Sequence, residues 1–299
     1  MDRLRAAGIG IGGIFARLRR PARGAALLLL ATVAMAGAQP MRVMSLNVCT
    51  DQLAVLLARP GQLVSVSELA TDPNLSFHSA LAADYPKNRG LAEEVLVAKP
   101  DVVVTSDYSL HYTTPLLTRL GYRVEQFPYR QTLDTIPGDI ERMGAILGED
   151  EKAKEMAARF RADLADVAAQ RCGAPTAIAF EQNGVAMGAG SLVDSAMKAA
   201  GLRNLVAELG YAGLTPFPLE LLVSHQPDIL VLPEPMADTP SLADLVAAHP
   251  AIAALDERTV RIHLPRGSTS CGGPAVIEAV KALAEAARRT ASCNRADPP

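Results

Sequence analysis

Tryptophan is absent from the 299 residues and aromatics make up only 4%, so no pocket here rests on indole stacking. No excess of Lys and Arg exists either: 29 stand against 32 Asp and Glu, without a basic run in the body of the chain. The electrostatic footprint of a nucleic-acid binder is therefore missing, and no nucleic acid is expected as a partner. The four cysteines form no C-x-x-C pair, and the five His are scattered, which argues against a dedicated zinc or transition-metal site. Neither the G-x-S-x-G nucleophile elbow nor the G-x-x-x-x-G-K phosphate cradle occurs. What is present, 49% hydrophobic and 20% charged residues, describes a folded chain long enough for two domains.

Residues 1–38 are read separately. Arg3, Arg5, Arg17, Arg19, Arg20 and Arg23 precede an apolar run from Ala25 to Ala36, and Ala36-Gly37-Ala38 supplies small residues for cleavage. That order is a signal peptide cut near Ala38, and the run of about a dozen apolar residues falls short of the ~20 that span a bilayer. The segment carries six Arg and one Asp, so its removal takes the net charge from -3 to -8. An acidic, exported protein is expected, with a basic docking partner. In an oxidising compartment Cys49, Cys172, Cys271 and Cys293 are read as structural disulfides, with three possible pairings that spacing does not separate.

From residue 41, short β-rich runs alternate with helical stretches, the pattern of a parallel α/β sheet. Strands are expected at 42–46, 62–67, 101–105 and 123–127, then at 176–181, 204–206, 228–232 and 260–264. Helices are expected at 51–58, 91–98 and 113–120, then at 191–200, 219–223, 242–248 and 274–288. Two lobes follow, 39–148 and 173–299. Between them, in 149–172, Ala153, Ala157, Phe160, Leu164 and Val167 recur at helical spacing among charged residues. At 1.5 Å per residue, Glu149 to Gln170 makes a stiff connector of about 33 Å.

An internal repeat is more informative. The stretch from Leu91 to Val104, with Glu93, Pro100 and Asp101, aligns without gaps with Pro218 to Val231, where Glu220, Pro227 and Asp228 take the same places. Pro ends each helix, Asp opens each strand, and a carboxylate sits near each helix start, where exposed amides favour it. One such surface feature is expected per lobe.

Together, Arg42-Val-Met-Ser-Leu-Asn47, the two Glu-x6-Pro-Asp units, Leu120-Gly-Tyr-Arg-Val-Glu125, the long helix and Gly188-Ala-Gly-Ser-Leu192 resemble the ferric-siderophore and cobalamin periplasmic-binding family of ABC importers, over roughly residues 41–290. The resemblance implies two α/β lobes with parallel sheets joined by one long rigid helix, the class III periplasmic binding protein type. It further implies a periplasmic monomer that delivers a ferric siderophore, heme or cobalamin to an inner-membrane permease, with no catalytic residue, no cofactor and no metal ligand of its own. Glu93 and Glu220 match the positions that dock on permease arginines; Ala92 departs from the family's usual Leu.

Ligands of open α/β sheets sit beyond the carboxyl ends of the strands. The loops there supply Asn47 and Asp51, Asp72, Asn74 and His78, Tyr108, His111 and Tyr112, Tyr129 and Arg130 in the first lobe, and Glu181, Gln182, Arg266, Ser268 and Ser270 in the second. Asn47, Asp51, Tyr108, Tyr112, Tyr129 and Arg266 are the expected ligand contacts, tyrosines packing on the ligand body and arginine meeting an anionic chelate. Two alternatives stand beside this reading. One is an exported hydrolase using Cys49, His78 or His111, and Asp51 or Asp72; the other is a ligand-free docking or sensor module.

Overall fold

The computed structural model describes residues 40–234, 249–255 and 258–290. The signal-peptide expectation for 1–38 and the helix expected at 242–248 lie outside these residues. Five strands, β1 (Val43–Ser45), β2 (Leu63–Ser67), β3 (Lys87–Asn88), β4 (Val102–Ser106) and β5 (Arg123–Phe127), form a sheet in the order β3-β2-β1-β4-β5. All its neighbours run parallel. The strand order reverses between β1 and β4, which opens a crevice at their carboxyl ends.

The second sheet comprises β6 (Thr176–Glu181), β7 (Val185–Met187), β8 (Arg203–Asn204), β9 (Leu214–Pro216), β10 (Ile229–Val231) and β11 (Val260–Ile262). Its order is β11-β10-β6-β7-β9, with β8 also on β6. The parallel expectation holds for β6, β8, β10 and β11. It needs one correction, because β7 and β9 add to this sheet as antiparallel strands.

The helices are α1 (Val48–Leu57), α2 (Ser79–Ala82), α3 (Ala92–Ala98), α4 (Thr113–Arg119), α5 (Ile136–Leu147), α6 (Asp150–Ala169), α7 (Leu192–Ala199), α8 (Leu205–Glu208), α9 (Leu219–His225), α10 (Pro250–Ala253) and α11 (Val276–Arg288). Helix α6 is the expected long amphipathic element. Ala153, Ala157, Phe160 and Val167 are buried along one stripe, and the charged remainder faces solvent. It packs on α5 from the first half and on α7 and α11 from the second.

One apolar cluster consequently runs through both halves. Leu53 and Leu57 of α1, Ile140 and Met143 of α5 and Phe160 of α6 belong with Ala177 of β6, Met197 of α7 and Val280 and Leu283 of α11. Each Phe, Leu or Ile fully buried there contributes about 1.5–3 kcal/mol. A shared core of this kind opposes wide swinging of one lobe on the other.

The repeat is visible down to single bonds. Lys99 and Gln226 both end their helices in the left-handed region, at φ 48° and 42°. Asp101 accepts the backbone N–H of Arg42 at 2.7 Å, and Asp228 accepts that of Thr176 at 2.8 Å. Each Asp thus ties the start of its own strand to the start of the neighbouring first strand of its sheet.

Candidate functional site

The two lobes touch through the loop between β11 and α11. Cys271 in this loop is bonded to Cys49 in the first turn of α1, with Cα atoms 5.1 Å apart. Cys172 is also disulfide-bonded. The amide of Gly272 donates to Oε1 of Gln131 at 2.8 Å, and Ser270 Oγ donates to the carbonyl of Asn74 at 3.5 Å. Gly267 has φ 69°, and a Cβ there would lie 2.5 Å from the backbone nitrogen of Phe77. Glycine is required at that position on both counts, since the loop lies directly against the first lobe.

Beside this seam lies a cavity of about 190 Å³, lined by Asn74 from the first lobe and by Glu181, Gln182, Leu232, Glu234, Arg266, Thr269 and Ser270 from the second. Every one of these follows or ends a strand at its carboxyl end. Arg266 does reach the cavity, as its sequence position implied. Its guanidinium, however, is ion-paired with Glu234, 32 residues earlier at the end of the next strand. An anionic ligand at Arg266 would have to compete with that carboxylate.

The expected tyrosine cluster is assembled in part. Tyr108 and Tyr129, 64% and 61% exposed, stack with ring centroids 4.5 Å apart. The backbone holds them there: Asp107 accepts the amide of Tyr129 at 2.8 Å, while its own amide donates to the carbonyl of Phe127. His111 meets the edge of Tyr108 at 6.0 Å. Tyr112 stands 93% exposed at the N-terminus of α4. None of the three tyrosines lines the interlobe cavity. Tyr108 and Tyr129 offer a separate apolar shelf on the first lobe, next to a shallow cavity of about 380 Å³ lined by Asp107, Ser109, His111, Thr114, Arg119 and Gln126 among others.

Asn47 caps α1, accepting the amide of Cys49 at 2.9 Å, and its Nδ2 donates to Ser109 Oγ at 3.3 Å. It bridges the crevice between β1 and β4 while remaining half-buried. Asp51 departs from the expectation of a ligand contact. It is 1% exposed, because α1 turns it inward onto β2, where it accepts the amide and hydroxyl of Ser67. Burial pushes its carboxyl up from the ordinary range to about 7, against hydrogen bonds from Ser45 and Ser67 and the charge of Lys87.

The native state therefore keeps a proton on Asp51 that the unfolded chain loses above about pH 4. The associated stability is fully present below that pH and is lost as pH rises to about 7. Asp51→Asn keeps an acceptor for Ser67 but cannot ionise. Urea unfolding across this window is expected to show a smaller fall in stability for the variant than for the wild type; parallel curves would sink the assignment.

The hydrolase constellation loses its nucleophile to the disulfide at Cys49, and of its two candidate acids Asp51 is turned into the interior. Among the described residues, no three His, Cys, Asp or Glu side chains gather as a metal site, and no helix is long and apolar enough to cross a membrane. Glu93 and Glu220 are exposed second residues of α3 and α9, one on each lobe, and neither has an ion pair among the described residues. Residues that the sequence reading passed over are Gln131, Glu234 and Thr269. Glu181 and Asn74 were named only as loop residues. Position at a strand's carboxyl end was the signal available for Glu181.

Two α/β sheets, a long packing helix between them and polar loops meeting at one seam define a two-lobed binding protein. The profile of the periplasmic binding protein family matches residues 43–261, and the chain belongs to that family. Solved structures agree on the fold. A periplasmic heme-binding protein from Pseudomonas aeruginosa superposes with a TM-score of 0.68 at 22% identity, covering 87% of this chain and 95% of that one. The vitamin B12 binding protein of Vibrio cholerae gives 0.63 at 19%, covering 83% and 97%. An ABC-type Fe3+-hydroxamate transport protein from Saccharomonospora viridis gives 0.61 at 19%, covering 83% and 93%. No curated protein sequence matches the chain.

Proposed function

We propose that this protein is the substrate-binding component of an ABC importer, exported with cleavage near Ala38, which captures a ferric siderophore, heme or cobalamin and delivers it to an inner-membrane permease. The observation that carries this reading is the seam itself: the carboxyl ends of both sheets meet across a polar cavity, in lobes that a shared core and a disulfide hold at one spacing. We assign the lobes to 39–148 and 173–299, with 149–172 as connector and the protein acting as a monomer. A shallow site between nearly rigid lobes suits a bulky preformed ligand better than a small one that needs full enclosure. Tyr108 and Tyr129 supply the apolar face for it, with Asn47, Tyr112 and Arg266 as further contacts, and Glu93 and Glu220 dock on permease arginines.

Visible absorption of the protein purified from its native host, followed by titration with ferric siderophores, hemin and cyanocobalamin, tests the reading. At least one chelate is expected to bind with a Kd well below about 100 μM, or ~5 kcal/mol of binding free energy. A colourless protein that ignores all three classes while binding a sugar, an amino acid or a free metal ion tightly would refute it. A ligand-free docking module would bind nothing in either set.

A further inference from the structure

Strand β6 lies inside the second sheet, with β10 on one edge and β7 and β8 on the other. Its last residue is Glu181. The carboxyl end of an inner strand is where loops part and a ligand can reach the sheet. Here Glu181 lines the interlobe cavity opposite Asn74 of the first lobe, with Thr269 and Ser270 of the seam loop alongside. Among the described residues, the other charged groups in the lining are Glu234 and Arg266, which pair with each other. One carboxylate of the described lining is then in excess.

Glu181 is partly buried and accepts no hydrogen bond from any described residue. Burial, with no hydrogen bond or cation opposing it, pushes its carboxyl up. A carboxylate placed in a cavity without a partner is costly to the protein alone and favourable to whatever donor enters. The cavity, about 190 Å³ and open to solvent, admits a short alkylammonium arm.

Resting on the binding-protein reading above, we infer that Glu181 is a specificity-determining contact that receives a primary ammonium arm of the ligand, so that the chelate carried is a cationic ferric siderophore rather than a dianionic porphyrin. The paired Arg266 fits this assignment. A site for porphyrin carboxylates would offer a guanidinium with capacity to spare, whereas among the described lining residues the cation, Arg266, is matched by Glu234 and the unmatched group is an acid. Charge at this point sorts ligands that the tyrosine shelf, being apolar, would treat alike.

The test titrates wild type and Glu181→Gln with ferrioxamine B, a ferric trihydroxamate bearing an alkylammonium arm, with its N-acetyl derivative, which lacks the charge, and with hemin. Wild type is expected to prefer the ammonium form over the acetylated one by about ten- to a hundredfold, the range of a charge-assisted hydrogen bond. The variant loses that preference while still binding the acetylated form, which shows it is folded. Ammonium binding favours ionised Glu181, so the wild-type preference grows as pH rises through the carboxyl's upward-shifted range, and the variant's does not. Equal binding of the two hydroxamates by wild type, an unchanged preference in the variant, or tighter binding of hemin than of either hydroxamate overturns the inference and leaves the importer reading standing. If no iron complex or corrinoid binds at all while a sugar or amino acid does, the importer reading falls and the inference with it.

Discussion

Replacing both Cys49 and Cys271 by serine is expected to lower the unfolding free energy by about 2–5 kcal/mol. The crosslink closes a loop with a sequence separation of 222 residues, so its loss returns a large amount of conformational entropy to the unfolded chain. Native geometry is little disturbed. The seam loop keeps its bond from Gly272 to Gln131, its contact from Ser270 to Asn74 and the close approach of Gly267 to Phe77. The variant should thus fold, with faster amide exchange confined mainly to the seam loop and the start of α1. The double substitution is the right comparison because a reductant would also open the disulfide at Cys172. Urea midpoints measured at fixed pH decide the matter, and a loss below about 1 kcal/mol would show that packing in the shared core, not the crosslink, sets the lobe spacing.

The pattern of strand and helix was legible wherever one residue type had one physical use. The repeat around Glu93 and Glu220 could be read because Pro, Asp and an apolar strand follow each helix in the same order, and the structure gives the two Asp residues equivalent backbone partners, the amides of Arg42 and Thr176. Helix α5 was not foreseen. Its Pro137-Gly138 reads as a turn, yet proline in the first helical turn forfeits an N–H that has no partner there anyway. The strand expected at 204–206 stops at Asn204 for a local reason: its side chain accepts the amide of Val206 at 3.1 Å and starts α8 instead.

Contacts between distant segments were illegible in principle. Asp51 looked like a cleft residue because it follows a strand by a few positions, and only the angular position on α1 turns it onto Ser67. The Cys49 to Cys271 pairing and the Arg266 to Glu234 pair are set by how the two sheets and their loops meet, which spacing along one chain does not encode. Antiparallel β7 and β9 were missed for a related cause, since three-residue strands carry too short an alternation to register.

Glu93→Arg and Glu220→Arg are each expected to reduce uptake in cells by about tenfold or more while leaving ligand affinity within about twofold of wild type. Both carboxylates project from the second residue of a short helix on the outer surface of their lobe, and neither lines the interlobe cavity. Because α6 and the shared core hold the lobes together, the two charges stand at a constant separation, and a partner with two matching basic pockets can read both at once. Reversing one charge leaves an arginine pocket repelled as well as unpaired, a loss of ~2–5 kcal/mol where the pair is buried. Two-point docking also makes the effects of the single variants unequal to their sum: once one end is lost, the remaining contact has no partner to align, so the double variant should be barely worse than either single one. Uptake of labelled ligand by cells carrying each variant, set beside titration of the purified proteins, separates docking from binding. Normal uptake by both single variants would remove the docking role, and a parallel loss of ligand affinity would move these glutamates into the binding site instead.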